Sequence, residues 1–289
     1  MSVSPDAATA VRAPARAVRD EVLLSVRGLR VGVADGSEVV HGVDLDIPRG
    51  SAVGLVGESG SGKTLTCRAV LGLLPVGVEV TGGEIRLRGT DLTALPAAAR
   101  ARLRGTELAA VFQDPASYLN PSITVGAQLA EVLRVKAGLG RRAARQRAVE
   151  LLQAMGLHRP EHVYAQHPFE LSGGMLQRVL IAMSISAGPE LLIADEATTA
   201  LDVTVQAEVL ELLNDLRRDR GLTLVVVSHD LAVISQTCDT VYVFRDGGIV
   251  EAGPTRRVLR APRHPYTREL IGNHERFGID RVREQGSGR

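Results

Sequence analysis

The fold is decided by Ala52-Val53-Gly54-Leu55-Val56-Gly57-Glu58-Ser59-Gly60-Ser61-Gly62-Lys63-Thr64. Five apolar or small residues predict a buried strand, and the eight that follow match the phosphate-binding pattern G-x-x-x-x-G-K-[ST], with a helical stretch expected from Lys63 to Leu74. In such a strand–loop–helix unit the glycines let successive backbone N–H groups turn around a phosphate. The helix N-terminus adds positive potential, a lysine reaches the outer phosphates, and a hydroxyl ligates Mg²⁺. That assigns Gly57, Glu58, Ser59, Gly60, Ser61, Gly62, Lys63 and Thr64 to nucleotide binding, with Thr64 a candidate metal ligand.

Farther along the chain, Leu191-Leu192-Ile193-Ala194 and Leu222 to Val227 read as strands buried on both faces, separated by a helix from Val203 to Asp219 that Gly221 ends. Strand, helix and strand in alternation predict a parallel sheet covered by helices. The first of these strands runs into Asp195-Glu196. There Asp195 is placed to hold Mg²⁺, and Glu196 to orient and polarise an attacking water. Before the phosphate loop, Val43, Leu45 and Ile47 alternate, as half-buried antiparallel strands do. Between about 115 and 188 the chain reads as a helical insertion, including a helix over Arg141–Met155 stopped by Gly156. Its Arg141, Arg142, Arg145 and Arg147 read as a solvated face. Leu171-Ser172-Gly173-Gly174-Met175-Leu176-Gln177-Arg178 opens a helix expected over Met175–Ala187, with Ser172 able to cap it and two glycines freeing N–H groups for an anion.

Composition narrows the function classes. The chain has 289 residues, 45% hydrophobic and 23% charged, enough for one large domain or two small ones. A formal charge of +1 disfavours nonspecific nucleic-acid binding, and aromatics at 3% without tryptophan leave few stacking platforms for single strands. Two distant cysteines, Cys67 and Cys238, exclude a disulfide framework, a thiolate zinc site and a cysteine-ligated cluster. Residues 1–20 lack large apolar content and an apolar leader core, and read as a disordered arm. No apolar run is long enough to cross a bilayer. His158, His162 and His167 read as surface histidines, since Pro160 keeps the first two off a common helix face.

Taken in order, the 57–64 loop, Gln113 in Val111-Phe112-Gln113-Asp114-Pro115, the Leu171–Arg178 stretch, Asp195-Glu196, Ala200-Leu201-Asp202 and His229 in Val227-Ser228-His229-Asp230 resemble the ATP-binding subunit of an ABC transporter over about residues 22 to 260. The fold so implied is α/β, a P-loop NTPase (RecA-like) core with an antiparallel β subdomain and a helical insertion, the ABC ATPase domain spanning 21–260. The resemblance implies ATP and Mg²⁺ as cofactors. It makes Gln113 a Mg²⁺ sensor coupled to membrane subunits, Asp202 a dimer-interface residue, and His229 a contact to the γ-phosphate. Ser172, Gly173, Gly174 and Gln177 then serve ATP bound by a second chain, arranged head to tail. Glu196, His229 and Gln113 are the catalytic candidates; Thr64, Gln113 and Asp195 are the metal candidates.

The run Phe112 to Pro121, Ala200 to Ala207, and Arg263-His264-Pro265-Tyr266-Thr267 in a C-terminal extension over 261–289 resemble importers of peptides and nickel. Leu65-Thr66-Cys67, Leu73 to Val78 and Gly174 to Arg178 lean toward the nickel branch. The resemblance implies two membrane permease subunits, a second ATP-binding subunit (paralogous or identical), an external substrate-binding protein, and a place at the cytoplasmic face of the membrane. Three departures stand out: Val33 where relatives stack an aromatic on adenine, Ala197 where a proline usually follows the acids, and no cysteines after Cys238 for the cluster some relatives carry. Two other function classes share some of these motifs. A soluble ABC ATPase of DNA repair or translation predicts a coiled-coil insertion, zinc cysteines or tandem cassettes, none of them seen. A noncatalytic nucleotide switch predicts a degenerate Glu196, His229 or Ser172, and all three are intact.

Overall fold

A computed structural model describes residues 21–197 and 201–273. The arm over 1–20, Ala200 and the extension beyond 273 lie outside the described residues. Strands β1 (Val22–Val33) and β2 (Glu38–Pro48) form an antiparallel pair, and their buried positions include the alternating Val43, Leu45 and Ile47. The chain then enters β3 (Ala52–Val56), buried at all five residues, and passes through the glycine-rich loop into α1 (Lys63–Leu71). Helix α1 stops three residues short of the expected Leu74. Gly72 takes φ 64°, its N–H donates to the Ala69 carbonyl, and that of Leu73 donates to Arg68, a paired closure that needs a left-handed residue.

Strands β4 (Val78–Leu87) and β5 (Thr90–Asp91) return to the first sheet, giving the order β2-β1-β4-β5. After α2 (Ala97–Leu103), β6 (Leu108–Phe112) joins the second sheet and the helical insertion follows. It comprises α3 (Val125–Lys136), α4 (Arg141–Ala154), α5 (Pro160–Ala165) and α6 (Gly173–Ile185). Helix α6 begins two residues before the expected Met175 because the Ser172 side chain accepts the Met175 N–H, which makes Gly173 the first helical residue. The four arginines of α4 are exposed, while Ala144, Ala148, Leu151 and Leu152 are buried.

The core then alternates: β7 (Leu191–Asp195), α7 (Val203–Arg220) closed by Gly221 at φ 65°, β8 (Thr223–Val227), α8 (Leu231–Thr237), and the hairpin β9 (Thr240–Arg245) and β10 (Gly248–Pro254). Helix α9 (Thr255–Arg260) and a last helix over 265–273 complete the described chain. The second sheet has the order β10-β9-β3-β8-β7-β6, parallel throughout except for β10. Its two faces bury different residues of the same strands. Leu191, Ile193, Val225 and Val227 pack with the antiparallel sheet and α1, whereas Leu192, Ala194, Leu224 and Val226 pack with the helical insertion, α7 and α8. This is the physical reason for the unbroken apolar runs in the sequence.

Inside the insertion, Gly126 lies where α3 meets α5. A Cβ there would come within 2.1 Å of the Tyr164 ring and 2.5 Å of its carbonyl oxygen. Gly126→Ala is expected to cost about 1–3 kcal/mol of overpacking. By contrast Gly140→Ala, with nothing within 4 Å, should cost far less. Urea unfolding of the two variants checks this; equal midpoints would contradict the packing.

Candidate nucleotide site

The loop after β3 is held open by backbone geometry that only glycine supplies without strain. Gly57 sits at φ 148°, with a would-be Cβ 2.2 Å from the Phe244 carbonyl oxygen, and Gly62 sits at φ 100° as the N-cap of α1. No side chain caps that helix. Its first N–H groups therefore face a ligand position with the positive end of the helix behind them. The loop is pinned from outside by the β9–β10 turn, where Gly247 N–H donates to the Ser61 carbonyl at 3.2 Å. Lys63 is 5% exposed and folds back over the loop, its Nζ donating to Gly57 O at 2.8 Å, Glu58 O at 2.7 Å and Ser61 Oγ at 3.3 Å. Burial lowers its pKa, and the carboxylates of Glu196 and Asp195 oppose that shift.

The parallel register brings the acids to this loop. Asp195 lies opposite Val227 on β8 and Phe112 on β6, at the end of its strand. The Thr64 hydroxyl donates to Asp195 Oδ1 at 3.1 Å. Burial raises the Asp195 pKa, offset by that hydrogen bond and reinforced by the adjacent Glu196 charge. Glu196 takes φ 50°, a left-handed conformation unusual for this residue type, while its N–H donates to the Val227 carbonyl at 3.0 Å. The turn sends the two acids to different partners, Asp195 to Thr64 and Glu196 to His229, whose Nδ1 lies 3.6 Å from Glu196 Oε1. His229 is 58% exposed and Glu196 26%.

Gln113 follows β6 directly and is exposed, one residue beyond the Phe112–Asp195 pairing. Ser172, Gly173 and Gly174 open α6 beside the start of α7: a Cβ on Gly174 would come within 2.4 Å of Val205 Cγ1, and one on Gly173 within 3.8 Å of Leu201. Asp202 caps α7, its carboxylate accepting the Val205 N–H at 3.0 Å. Ser172 and Asp202 thus do perform the plain capping role their residue types suggest. Gln177 differs from its neighbours. It is 1% exposed, and its Nε2 has no hydrogen-bond partner among the described residues, so its side chain is directed into the core rather than toward a surface ligand. Val33 closes β1 half-buried, opposite Val78.

Three contacts at this site carry no local signal in the sequence. The Arg68 guanidinium of α1 lies 5.7 Å over the Phe112 ring, which stacks at 5.8 Å on Tyr118, joining the phosphate-loop helix to the segment carrying Gln113. The Glu58 N–H donates to the Tyr266 hydroxyl at 3.1 Å, across 208 residues. The Arg263–Thr267 stretch stood out in the sequence only as a subfamily mark.

Residues 40–199 match the family model described as ABC transporter. The chain is 45% identical over 243 residues to the probable D,D-dipeptide transport ATP-binding protein DdpD of Escherichia coli (strain K12), covering 84% of this chain and 74% of that one. It is 45% identical over 233 residues to the oligopeptide transport ATP-binding protein AppD of Bacillus subtilis (strain 168), covering 80% and 71%. Among solved structures, a dimeric ATP-binding cassette in a post-hydrolysis state with ADP and Pi superposes with a TM-score of 0.71 at 26% identity, over 81% of this chain and 99% of that one. Among the described residues no helix is long and apolar enough to cross a membrane. With the phosphate loop, the acids and His229 gathered beyond the C-terminal ends of the neighbouring strands β3, β7 and β8, the chain belongs to the ABC transporter family, as an ATP-hydrolysing subunit.

Proposed function

We propose that this ATPase energises a membrane importer of peptides, and that Lys63, Thr64, Asp195, Glu196 and His229 carry the hydrolysis. The observation that carries the proposal is the pairing of Thr64 with Asp195 next to that of Glu196 with His229. The α1 N-terminus and the loop amides receive the phosphates, and Lys63 exchanges its bonds to the loop carbonyls for phosphate oxygens. Glu196 accepts a hydrogen bond from the attacking water and orients it toward the γ-phosphorus, and His229 contacts the γ-phosphate. The Thr64 hydroxyl and the Asp195 carboxylate are adjacent hard oxygen donors, a set that suits Mg²⁺, and Gln113 stands at the neighbouring strand end. When bound there, the metal neutralises charge on the phosphate oxygens.

Ser172, Gly173 and Gly174, together with Asp202, are proposed to complete the site of a second ATP-binding subunit, paralogous or identical, arranged head to tail. Buried Gln177 supports that surface from beneath. In a complex where one chain carries Lys63→Ala and the other Ser172→Arg, one composite site loses both groups and the other stays whole. About half of wild-type hydrolysis is expected if the two sites act independently. Phosphate release no greater than when every chain carries both changes would contradict the shared site. For the base, Val33 offers an aliphatic face in place of an aromatic stacking term of about 1–3 kcal/mol. ATP and GTP are therefore expected to bind within about tenfold of each other by calorimetry; a hundredfold preference for ATP would contradict that placement of Val33.

Peptides rather than nickel are the proposed cargo, because the relatives carry peptide-transport names where residues such as Leu65-Thr66-Cys67 lean toward the nickel branch. The partners are two permease subunits and an external binding protein, with this chain at the cytoplasmic face of the membrane. Purification from the native membrane tests the proposal. Permease subunits should co-purify, and a peptide-loaded binding protein should stimulate hydrolysis. Hydrolysis without any co-purifying membrane subunit would contradict it.

A further inference from the structure

The segment following α9 is fastened to the cassette at both ends. Glu251, on β10 and 8% exposed, accepts the backbone N–H groups of Arg263, at 3.0 and 3.2 Å to its two oxygens, and of His264 at 3.0 Å. Burial opposes the charged form of Glu251, yet these bonds outweigh it and its pKa stays below the usual value. His264 Nδ1 accepts the Tyr266 N–H at 3.2 Å, which fixes the start of the last helix. Tyr266 is 3% exposed, with the Arg245 guanidinium 4.8 Å from its ring centroid, and its hydroxyl accepts the Glu58 N–H.

The amide that Tyr266 holds belongs to the peptide group whose other end Lys63 holds. Gly57 O accepts from Lys63 Nζ and, in the same plane, Glu58 N–H donates to Tyr266. Two side chains on opposite sides thus fix the rotation of one peptide unit, and each bond polarises the unit in the sense that strengthens the other. Release of the Tyr266 end leaves that peptide held by Lys63 alone, so that once Lys63 turns to the phosphates nothing fixes the peptide's rotation. Glu58 N–H lies before the α1 N-terminus, so the Tyr266 bond does not compete with the amides that face a phosphate.

We infer that residues 262–267 brace the phosphate loop, and that Tyr266 is a positioning residue that sets nucleotide affinity through the Gly57–Glu58 peptide. The inference rests on the reading of the 57–64 loop as the ATP site. It is tested on the full chain by calorimetric titration of adenylyl imidodiphosphate with Mg²⁺. Tyr266→Phe keeps the buried ring and removes the hydroxyl. The dissociation constant should rise about three- to tenfold at unchanged stoichiometry, because a peptide no longer braced must be ordered again when the nucleotide binds. A merely structural role would lower the binding-competent fraction at constant affinity, and that result overturns the inference, as does an unchanged titration. A wild-type chain that takes up no analogue overturns the site and the brace together; a wild-type chain that binds while Tyr266→Phe binds equally overturns the brace alone. Should Tyr266→Phe fail to fold, Glu251→Gln, which loosens the segment without touching the loop, carries the test with the same outcomes.

Discussion

Glu196→Gln is expected to keep ATP binding and to lower hydrolysis by about a hundred- to ten-thousandfold, the range for loss of a positioned general base. The substitution is nearly isosteric. It leaves the N–H bond to Val227 and demands the same left-handed backbone, so the loop after β7 keeps its shape. What it removes is the negative charge next to His229, replacing a basic carboxylate that orients and polarises water with a neutral amide that cannot take its proton. Asp195 and Thr64 are untouched, so the phosphate cradle persists. ATP-loaded protein should therefore accumulate as a closed dimer on gel filtration. Near-normal phosphate release by Glu196→Gln, assembled with its partners, would assign the base elsewhere.

Lys63→Ala should act one step earlier, weakening ATP binding by about ten- to a hundredfold, as expected for loss of a charged hydrogen-bond donor worth about 1.5–3 kcal/mol. The side chain has a second role that deepens the loss. Its ammonium joins the carbonyls of Gly57 and Glu58 to Ser61, so without it the loop carbonyls lose their common donor. It also lies near Asp195 and Glu196, whose charges favour its protonated form; its removal takes away one of the positive charges that offset these carboxylates. Equilibrium titration with ATP separates the two variants: Glu196→Gln should bind like the wild type and Lys63→Ala should not. Wild-type affinity in Lys63→Ala would remove the lysine from the site.

These residues were legible because each belongs to a pattern with a mechanism. The strand, glycine loop and Lys63-Thr64 announce themselves locally, and Asp195-Glu196 ends an apolar run that only a doubly covered strand explains. Two boundaries shifted for local reasons, a left-handed Gly72 ending α1 early and the Ser172 cap starting α6 early, and α6 also stops at Ile185, two residues before the expected Ala187. What the pattern did not reveal depends on packing between distant segments. Gln177 sits in a polar-looking motif, yet the helical face it occupies is turned into the core. Arg68 of α1 meets Phe112 only because the sheet brings β6 beside that helix, a contact between segments far apart in the sequence. Tyr266 meets Glu58 only because β10 and α9 carry the chain back to the loop, a path no local periodicity encodes.

The most direct test of the central claim is an experimental structure of Glu196→Gln with ATP and Mg²⁺. The γ-phosphate is expected between Lys63 and His229 of one chain, within hydrogen-bond reach of Ser172 from a second. A γ-phosphate held by Lys63 and Ser172 of the same chain, or one bound away from both Lys63 and His229, would contradict it.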